Sequence, residues 1–471
     1  MNRKKEAQRA DFIDEIKIHE TLEKAKNASV AQALDIIEKG REAKGLDPYE
    51  TAVLLHAAEG EAESALFSAS REVKEKIYGQ RLVLFAPLYI SNYCINNCTY
   101  CGYRRHNEIP RQRLTMEEIE REVIALEAMG HKRIALEVGE DPKNCPIDYV
   151  LDAMKKIYSV KESTGSIRRI NVNIAATTIE DYRMLKEAGI GTYILFQESY
   201  HRATYKACHP SGPKKDYDWH TTAMDRAMQA GIDDVGLGVL FGLYDYKFEV
   251  LGLLLHSLHL EDRFGVGCHT ISVPRIRPAE GINFDTFPHL VNDHDFKRMV
   301  SIIRLAVPYT GMILSTREPP GYRDEVISLG ISQISAGSCT GVGGYHEDIE
   351  KPERKTYGQF QVEDNRTTDE MLLSVCRSGY LPSFCTACYR QGRTGDRFMA
   401  LAKTGEIQNI CQPNAILTFK EFLVDYASPE TRSAGEDVIR MHLDKIPSPK
   451  MREEIQKRLA KIEAGERDLY F

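Results

Sequence analysis

Cys94, Cys98 and Cys101 fall at C-x3-C-x2-C spacing in the stretch Tyr93-Cys94-Ile95-Asn96-Asn97-Cys98-Thr99-Tyr100-Cys101-Gly102-Tyr103. Thiolates are soft ligands, so the occupants they suit are zinc or an iron–sulfur cluster. A structural zinc site or an electron-transfer cluster usually takes four protein ligands. Three thiols on one short loop leave a coordination position open, and a metal with an open position can bind a substrate and act on it. A second trio, Cys385, Cys388 and Cys411, has C-x2-C-x22-C spacing. It reads either as a second open iron–sulfur cluster or as a zinc site completed by a distant His or Cys. Arg390, Arg393 and Arg397 lie close by in sequence. They could offset the negative charge of a thiolate-bound cluster, or stand as surface charges. The five scattered cysteines, Cys145, Cys208, Cys268, Cys339 and Cys376, read as structural thiols.

The elements that must position these groups follow a rhythm. Short apolar runs are predicted as strands at 81–86, 133–138, 169–174, 192–197, 234–240, 267–273, 311–315 and 332–336. Helices separate them. Thr115-Met116-Glu117-Glu118 is a capping box, and Gly130 stops the helix it opens. Thr177-Thr178-Ile179-Glu180 opens another, which Gly189 ends. Apolar strands alternating with helices indicate a parallel sheet, and eight such units match a (β/α)8 TIM barrel. In that fold the active site lies at the C-terminal ends of the strands. The first trio follows strand one and so belongs to that face. Three segments are predicted: an N-terminal helical lead-in over 1–78, the barrel over 79–340, and a C-terminal domain over 341–471. The last carries the second trio, with helices near 367–378, 393–404, 418–427, 429–441 and 449–464.

The bulk composition is that of a globular protein. Among 471 residues, 42% are hydrophobic and 28% charged, and the net charge is −7. That balance gives no electrostatic footprint for nucleic acid. Basic runs such as Arg3-Lys4-Lys5 are short. The charged stretch Met1 to Ile13 lacks the apolar core of a signal peptide. No stretch reaches the length of a membrane span, the run Leu251–Leu255 being broken by His256 and His259. A cytoplasmic protein is expected, with no nucleic-acid or membrane partner. Its eleven cysteines are then not a disulfide framework.

The first trio, with Tyr100 directly before its third cysteine, resembles the radical S-adenosylmethionine (SAM) superfamily. With the second trio in a C-terminal domain, the chain resembles more closely the FeFe-hydrogenase maturases that act as tyrosine lyases. The second trio separates that family from 2-iminoacetate synthase of thiamine synthesis, which shares the barrel and the tyrosine cleavage. The resemblance implies two 4Fe-4S clusters. Cys94, Cys98 and Cys101 would hold the SAM-binding one. Cys385, Cys388 and Cys411 would hold the other, with an extra iron joined through a cysteine molecule. It implies hydrogen abstraction from the tyrosine amino group and scission of the Cα–Cβ bond to p-cresol and dehydroglycine. Conversion of dehydroglycine to CO and cyanide would follow, giving an iron–CO–cyanide–cysteine synthon for the hydrogenase. An electron donor and other hydrogenase maturation proteins are the implied partners. The alternatives are a 2-iminoacetate synthase and a non-enzymatic iron–sulfur scaffold.

Several residues take roles on this reading. Tyr100 would pack on the SAM adenine. Gly139-Glu140 ends strand two, where a glycine lets backbone approach a ligand and Glu140 can pair with the SAM ammonium. Glu198, at the end of strand four, is the next SAM ligand. Arg317, at the end of strand seven, can fork onto a substrate carboxylate, or pair with Glu318. Ser338, after strand eight, could assist. On strand six, alternation puts His269, Ile271, Val273 and Arg275 on one face. If that face lines the barrel, Arg275 lies at the top with SAM. His269 then lies roughly 20 Å lower at ~3.3 Å per residue. The C-terminal domain is free to close the bottom, where His269 would bind the extra iron and the barrel interior would serve as a conduit.

Overall fold

Runs of Val, Ile and Leu buried on both faces must pair with one another, and here eight of them close into one parallel sheet. The strands are β1 (Arg81–Ser91), β2 (Arg133–Val138), β3 (Arg169–Asn173), β4 (Tyr193–Ile194), β5 (Val235–Gly238), β6 (Thr270–Ser272), β7 (Gly311–Leu314) and β8 (Gln333–Ser335). Each pairs with the next, and β1 pairs with both β8 and β2, which closes the barrel. This computed structural model describes residues 6, 8–346 and 357–471. Arg3-Lys4-Lys5 and the first part of the polar stretch 351–368 lie outside the described residues.

Side chains divide by face. Leu82, Leu84, Ile134, Leu136, Ile170, Val172, Ile271 and Ile334 are fully buried. The alternate residues are more polar and reach the interior cavities: Arg133 and Glu137 on β2, Gln333 and Ser335 on β8. An interior with that much polarity is a place for chemistry rather than a packed apolar core.

β1 runs beyond its sequence run because its upper part, Ala86 to Ser91, pairs with β2. Val83 to Phe85 pair with Gln333 to Ser335, while Ala86 upward pairs with β2 from Ile134. A ninth strand, β9 (Leu381–Ser383), runs parallel to Arg81–Val83. It carries a proline and is three residues long, so no alternation marks it.

The helices Glu15–Ala25, Val30–Gly40, Pro48–Ala57 and Glu61–Tyr78 precede the barrel and pack on its outer helices Tyr246–Phe264 and Asp293–Ala306. Their starts follow local chemistry: Ser29 caps one, and Asp47 with Glu50 forms a capping box on another. After the barrel come Thr368–Arg377, Ala387–Arg390, Gly395–Thr404, Ile407–Asp425, Pro429–Asp444 and Pro449–Glu463. The helix Ile407–Asp425 begins well before the predicted 418. Pro413 lies inside it, a residue that normally argues against a helix there.

Residues after 340 reach both ends of the barrel. Near the top, Gln359 O accepts from Gly102 N at 2.9 Å, and Glu363 N donates to Thr316 O at 3.0 Å. At the bottom, β9 joins the sheet. Among the described residues no helix is long and apolar enough to cross a membrane.

Candidate active site

The loop after β1 turns its thiols into a cavity of about 230 Å3 at the C-terminal ends of the strands. Backbone bonds from three directions hold it: Ile95 N to Glu140 O at 2.9 Å, Thr99 N to Cys208 O at 3.0 Å, and Gly102 N to Gln359 O. Cys94, Cys98 and Cys101 all line the cavity. Burial pushes the Cys101 thiol up to about 11 and Cys98 higher still, while Lys214 opposes this at both. Buried thiols of that kind stay protonated unless a metal takes them as thiolates. Among the described residues no three His, Cys, Asp or Glu side chains converge closely enough for a single metal ion. A four-iron cluster spreads its thiolates wider than one ion does, so the donor set fits a cluster open towards the cavity.

Around the thiols stand the other expected residues. Tyr100 lines the cavity, and its hydroxyl meets His209 Nε2 at 2.8 Å. Glu140 Oε2 accepts from Asn96 Nδ2 at 2.6 Å. Gly139 also lines the cavity, but a Cβ there would overlap the Tyr93 carbonyl oxygen. Contact with the cysteine loop, rather than room for a ligand, therefore requires glycine. Glu198 has φ +69°, a left-handed conformation that costs a non-glycine residue energy. Its Oε1 accepts from Lys214 Nζ at 2.6 Å. Ser338 lines the cavity with a buried hydroxyl that has no partner among the described residues.

Arg317 lines the same cavity, stacked 3.3 Å above the Phe360 ring. Its neighbour Glu318 is taken by Arg275 and Arg277. The Arg317 guanidinium is left without a carboxylate among the described residues, and burial pulls it down to about 10. An unpaired guanidinium facing a cavity is a carboxylate receptor.

Two expectations for strand six are corrected. Arg275 does not reach the cavity: its Nε donates to Glu318 Oε1 at 3.1 Å and its Nη1 to Val291 O at 2.9 Å. Its guanidinium lies against Phe296 and Tyr322 of the outer helices. Of the face assigned inward, Ile271 and Arg275 turn away from the cavities, while Val273, just past the end of β6, still lines the upper one. Ser272 lines the cavity, and Thr270 stands against Gly236, its partner on β5. The apolar Ile271 goes under the helices, which is why the phase is reversed. Arg277 reaches the cavity instead.

At the other mouth of the barrel, a cavity of about 50 Å3 is lined by Cys385, Cys388 and Cys411 together with Arg81, Arg133 and His269. β9 delivers Cys385 there, and Arg133 Nη2 donates to the Cys385 carbonyl at 2.9 Å. The Cys388 and Cys411 thiols share a hydrogen bond, which holds one of them down, with Arg81 and Arg393 assisting. Of the three arginines noted in sequence, only Arg393 attends the thiols. Arg390 pairs with Asp468 at 2.7 Å, and Arg397 is exposed. His269 thus lies at the bottom mouth although its strand phase is outward, because it precedes the first paired residue of β6. Burial lowers its pKa, so the imidazole is neutral, as a metal ligand must be. Among the described residues its Nδ1 has no hydrogen-bond partner, and it lies 3.4 Å from Asp234 Oδ1.

The two cavities are one layer of side chains apart. Val83 lines the lower and Phe85 the upper; the same holds for Arg133 and Ala135, Gly311 and Ile313, and Gln333 and Ser335. Residues two apart on a strand are about 6.6 Å apart. The span between cavities is therefore much shorter than the whole strand. Sequence reading missed Lys214, Asn96, Glu137, Arg277, Arg133 and Arg81. Lys214 lies in a short 3-10 turn, Pro213–Lys215, that carries no motif, and Asn96 lies inside the first cysteine motif, where only the thiols stand out, but the charged residues at interior phase in Arg133-Ile134-Ala135-Leu136-Glu137 were a usable signal.

The geometry agrees with known proteins. Residues 88–254 match the Radical SAM superfamily, and residues 272–381 match the Biotin and Thiamin Synthesis associated domain. The chain is 32% identical to 2-iminoacetate synthase of Escherichia coli (strain K12) over 332 residues, covering 70% of this chain and 84% of that one. It superposes on the crystal structure of HydG, a maturase of the [FeFe]-hydrogenase, with TM-score 0.95 and 63% identity, over 98% of this chain and 100% of that one. The HydG of Carboxydothermus hydrogenoformans superposes with TM-score 0.80 and 39% identity, over 95% and 99%.

Proposed function

The chain belongs to the radical SAM family that contains the HydG maturases of FeFe-hydrogenase and 2-iminoacetate synthase, and on that footing we propose that it is a tyrosine lyase of hydrogenase maturation. It cleaves the Cα–Cβ bond of L-tyrosine to p-cresol and dehydroglycine. A second cluster, which Cys385, Cys388 and Cys411 would hold, would supply the chemistry that turns dehydroglycine into CO and cyanide for an iron–CO–cyanide–cysteine synthon. The observation that carries this reading is the pair of thiol trios at opposite mouths of one barrel, with adjoining cavities between them.

The chain's own residues divide the work. Cys94, Cys98 and Cys101 hold the upper cluster, which when bound with SAM supplies the radical chemistry that takes a hydrogen atom from the substrate. Tyr100, Gly139, Glu140 and Glu198 hold SAM beside it, with Lys214 fixing Glu198. Arg317 forks onto the tyrosine carboxylate, and Ser338 offers its unpartnered hydroxyl to the same end of the substrate. Cys385, Cys388 and Cys411 hold the lower cluster among Arg81, Arg133 and Arg393, and His269 binds the extra iron. The polar interior shields dehydroglycine from bulk water between the two. The partners are an electron donor and other hydrogenase maturation proteins, in the cytoplasm.

A 2-iminoacetate synthase would have no use for a thiol trio beside Arg81 and His269. A cluster-delivering scaffold would have no use for the unpaired Arg317. The test is anaerobic reconstitution with iron, sulfide, cysteine, SAM, a reductant and tyrosine. The native chain should release p-cresol. The triple variant Cys94→Ala/Cys98→Ala/Cys101→Ala should form no 5′-deoxyadenosine and bind about four fewer irons. SAM cleavage retained in that variant would refute the assignment.

A further inference from the structure

Glu137 is a half-buried carboxyl with no role so far in holding a cluster or SAM. It ends the interior face of β2 and lines the upper cavity. Its cross-strand partner on β3 is Asn173, whose Nδ2 donates to Glu137 Oε1 at 2.6 Å. Among the described residues Glu137 makes no ion pair. The groups that face it are Tyr89 from β1, Tyr103 from the cysteine loop, Asn173 from β3 and Arg317 after β7. The single cation among these is Arg317, which itself lacks a carboxylate.

One cavity therefore presents an unpaired guanidinium and an unpaired carboxyl. Two such groups left apart are costly in a half-buried cavity, and a ligand with both charges satisfies both at once. The α-carboxylate and α-ammonium of a free amino acid are such a ligand. Burial pushes Glu137 up to about 8, and the nearby Arg317 charge pulls against that. A carboxylate with that basicity is matched to taking a proton from an ammonium near neutral pH.

We infer that Glu137 is the amine-binding half of an amino-acid clamp whose other half is Arg317, and that it accepts the proton of the substrate ammonium. This rests on the tyrosine reading above. In the step, one N–H bond of the ammonium breaks and the proton passes to the Glu137 carboxylate. The result is a neutral amine and a carboxylic acid, with no electrons gained or lost. The amine is then in the form from which a hydrogen atom can be taken. Asn173 holds the carboxyl in place.

The test uses the cluster-loaded protein with S-adenosylhomocysteine in place of SAM, so that nothing turns over. Anaerobic calorimetry compares tyrosine with 3-(4-hydroxyphenyl)propionate, which lacks only the amine. The parent should bind tyrosine about 10- to 100-fold more tightly, the range of a charged hydrogen bond. Glu137→Gln should lose that preference while binding the amine-free acid as before. Equal weakening of both ligands, or of neither, would overturn the clamp. A parent that binds neither ligand would overturn the tyrosine reading and the clamp with it. Arg317→Lys separates the halves: it should weaken both ligands and spare the preference for the amine. Tyrosine turnover gives a second readout. In the parent, kcat/KM should fall about tenfold per pH unit below about 8. Glu137→Gln should be slower and lose that limb, and a limb that persists in the variant would contradict the proton step. Glu137→Asp, which restores the charge, should restore the limb and would do so even if the glutamine variant folds poorly.

Discussion

Glu137 couples the fold to pH as well as to the substrate. Burial raises its pKa from 4.5 to about 8. Between those values the folded chain holds a proton that the unfolded chain has released, so this group lowers stability as pH rises through that window. Glu137→Gln removes the effect. Its melting temperature should fall less than the parent's between pH 5 and pH 8, and equal slopes would contradict the buried-acid description. His269 carries a separate expectation. His269→Ala should reduce the extra iron and the CO-bearing product by about 10-fold or more, the scale of a lost metal ligand or its support. Tyrosine cleavage should change little. Iron analysis beside p-cresol release checks this, and full iron occupancy in the variant would exclude His269 as a ligand. At this scale the thiols were legible because their number and spacing are themselves chemical statements. Glu137 and Lys214 were not, because a lone charged residue carries no spacing, and its role depends on which strands and loops meet at it.

Among the elements, the strand ends do the positioning. β2 delivers Glu137, Gly139 and Glu140 to one rim, and Gly139 lets the Tyr93 carbonyl pack against it. Gly139→Ala should cost about 1–3 kcal/mol by overpacking. It should also loosen the cluster, read as a lower melting temperature together with faster iron loss to a chelator. Unchanged iron retention would show that this contact does not hold the cysteine loop. The eight strands could be read from the sequence because each is an apolar run bounded by helix caps and glycine stops. Strand six was placed correctly and turned the wrong way. Its interior residues are Thr270 and Ser272, while Ile271 seeks the helices. In this barrel the interior cavities are lined in part by polar side chains and the apolar layer lies outside the sheet, so the polar phase of a strand marks the interior. β9 escaped because three residues with a proline carry no periodicity, yet it brings Cys385 to the lower mouth.

On the scale of the whole molecule, one barrel has a thiol trio at each mouth. The cysteine loop is fixed to the upper rim by the end of β2 and by Gln359, while β9 and the helix Ile407–Asp425 fix the lower trio. The two sites share strands but no ligands, so chemistry at one need not fail when the other is emptied. Separability is read by quantifying p-cresol and CO from one reconstituted sample of Cys385→Ser/Cys388→Ser. The expected result is p-cresol near the native amount and CO reduced by at least about 10-fold. Loss of p-cresol in a folded variant with a filled upper cluster, or CO undiminished, would contradict the division of work between the two mouths.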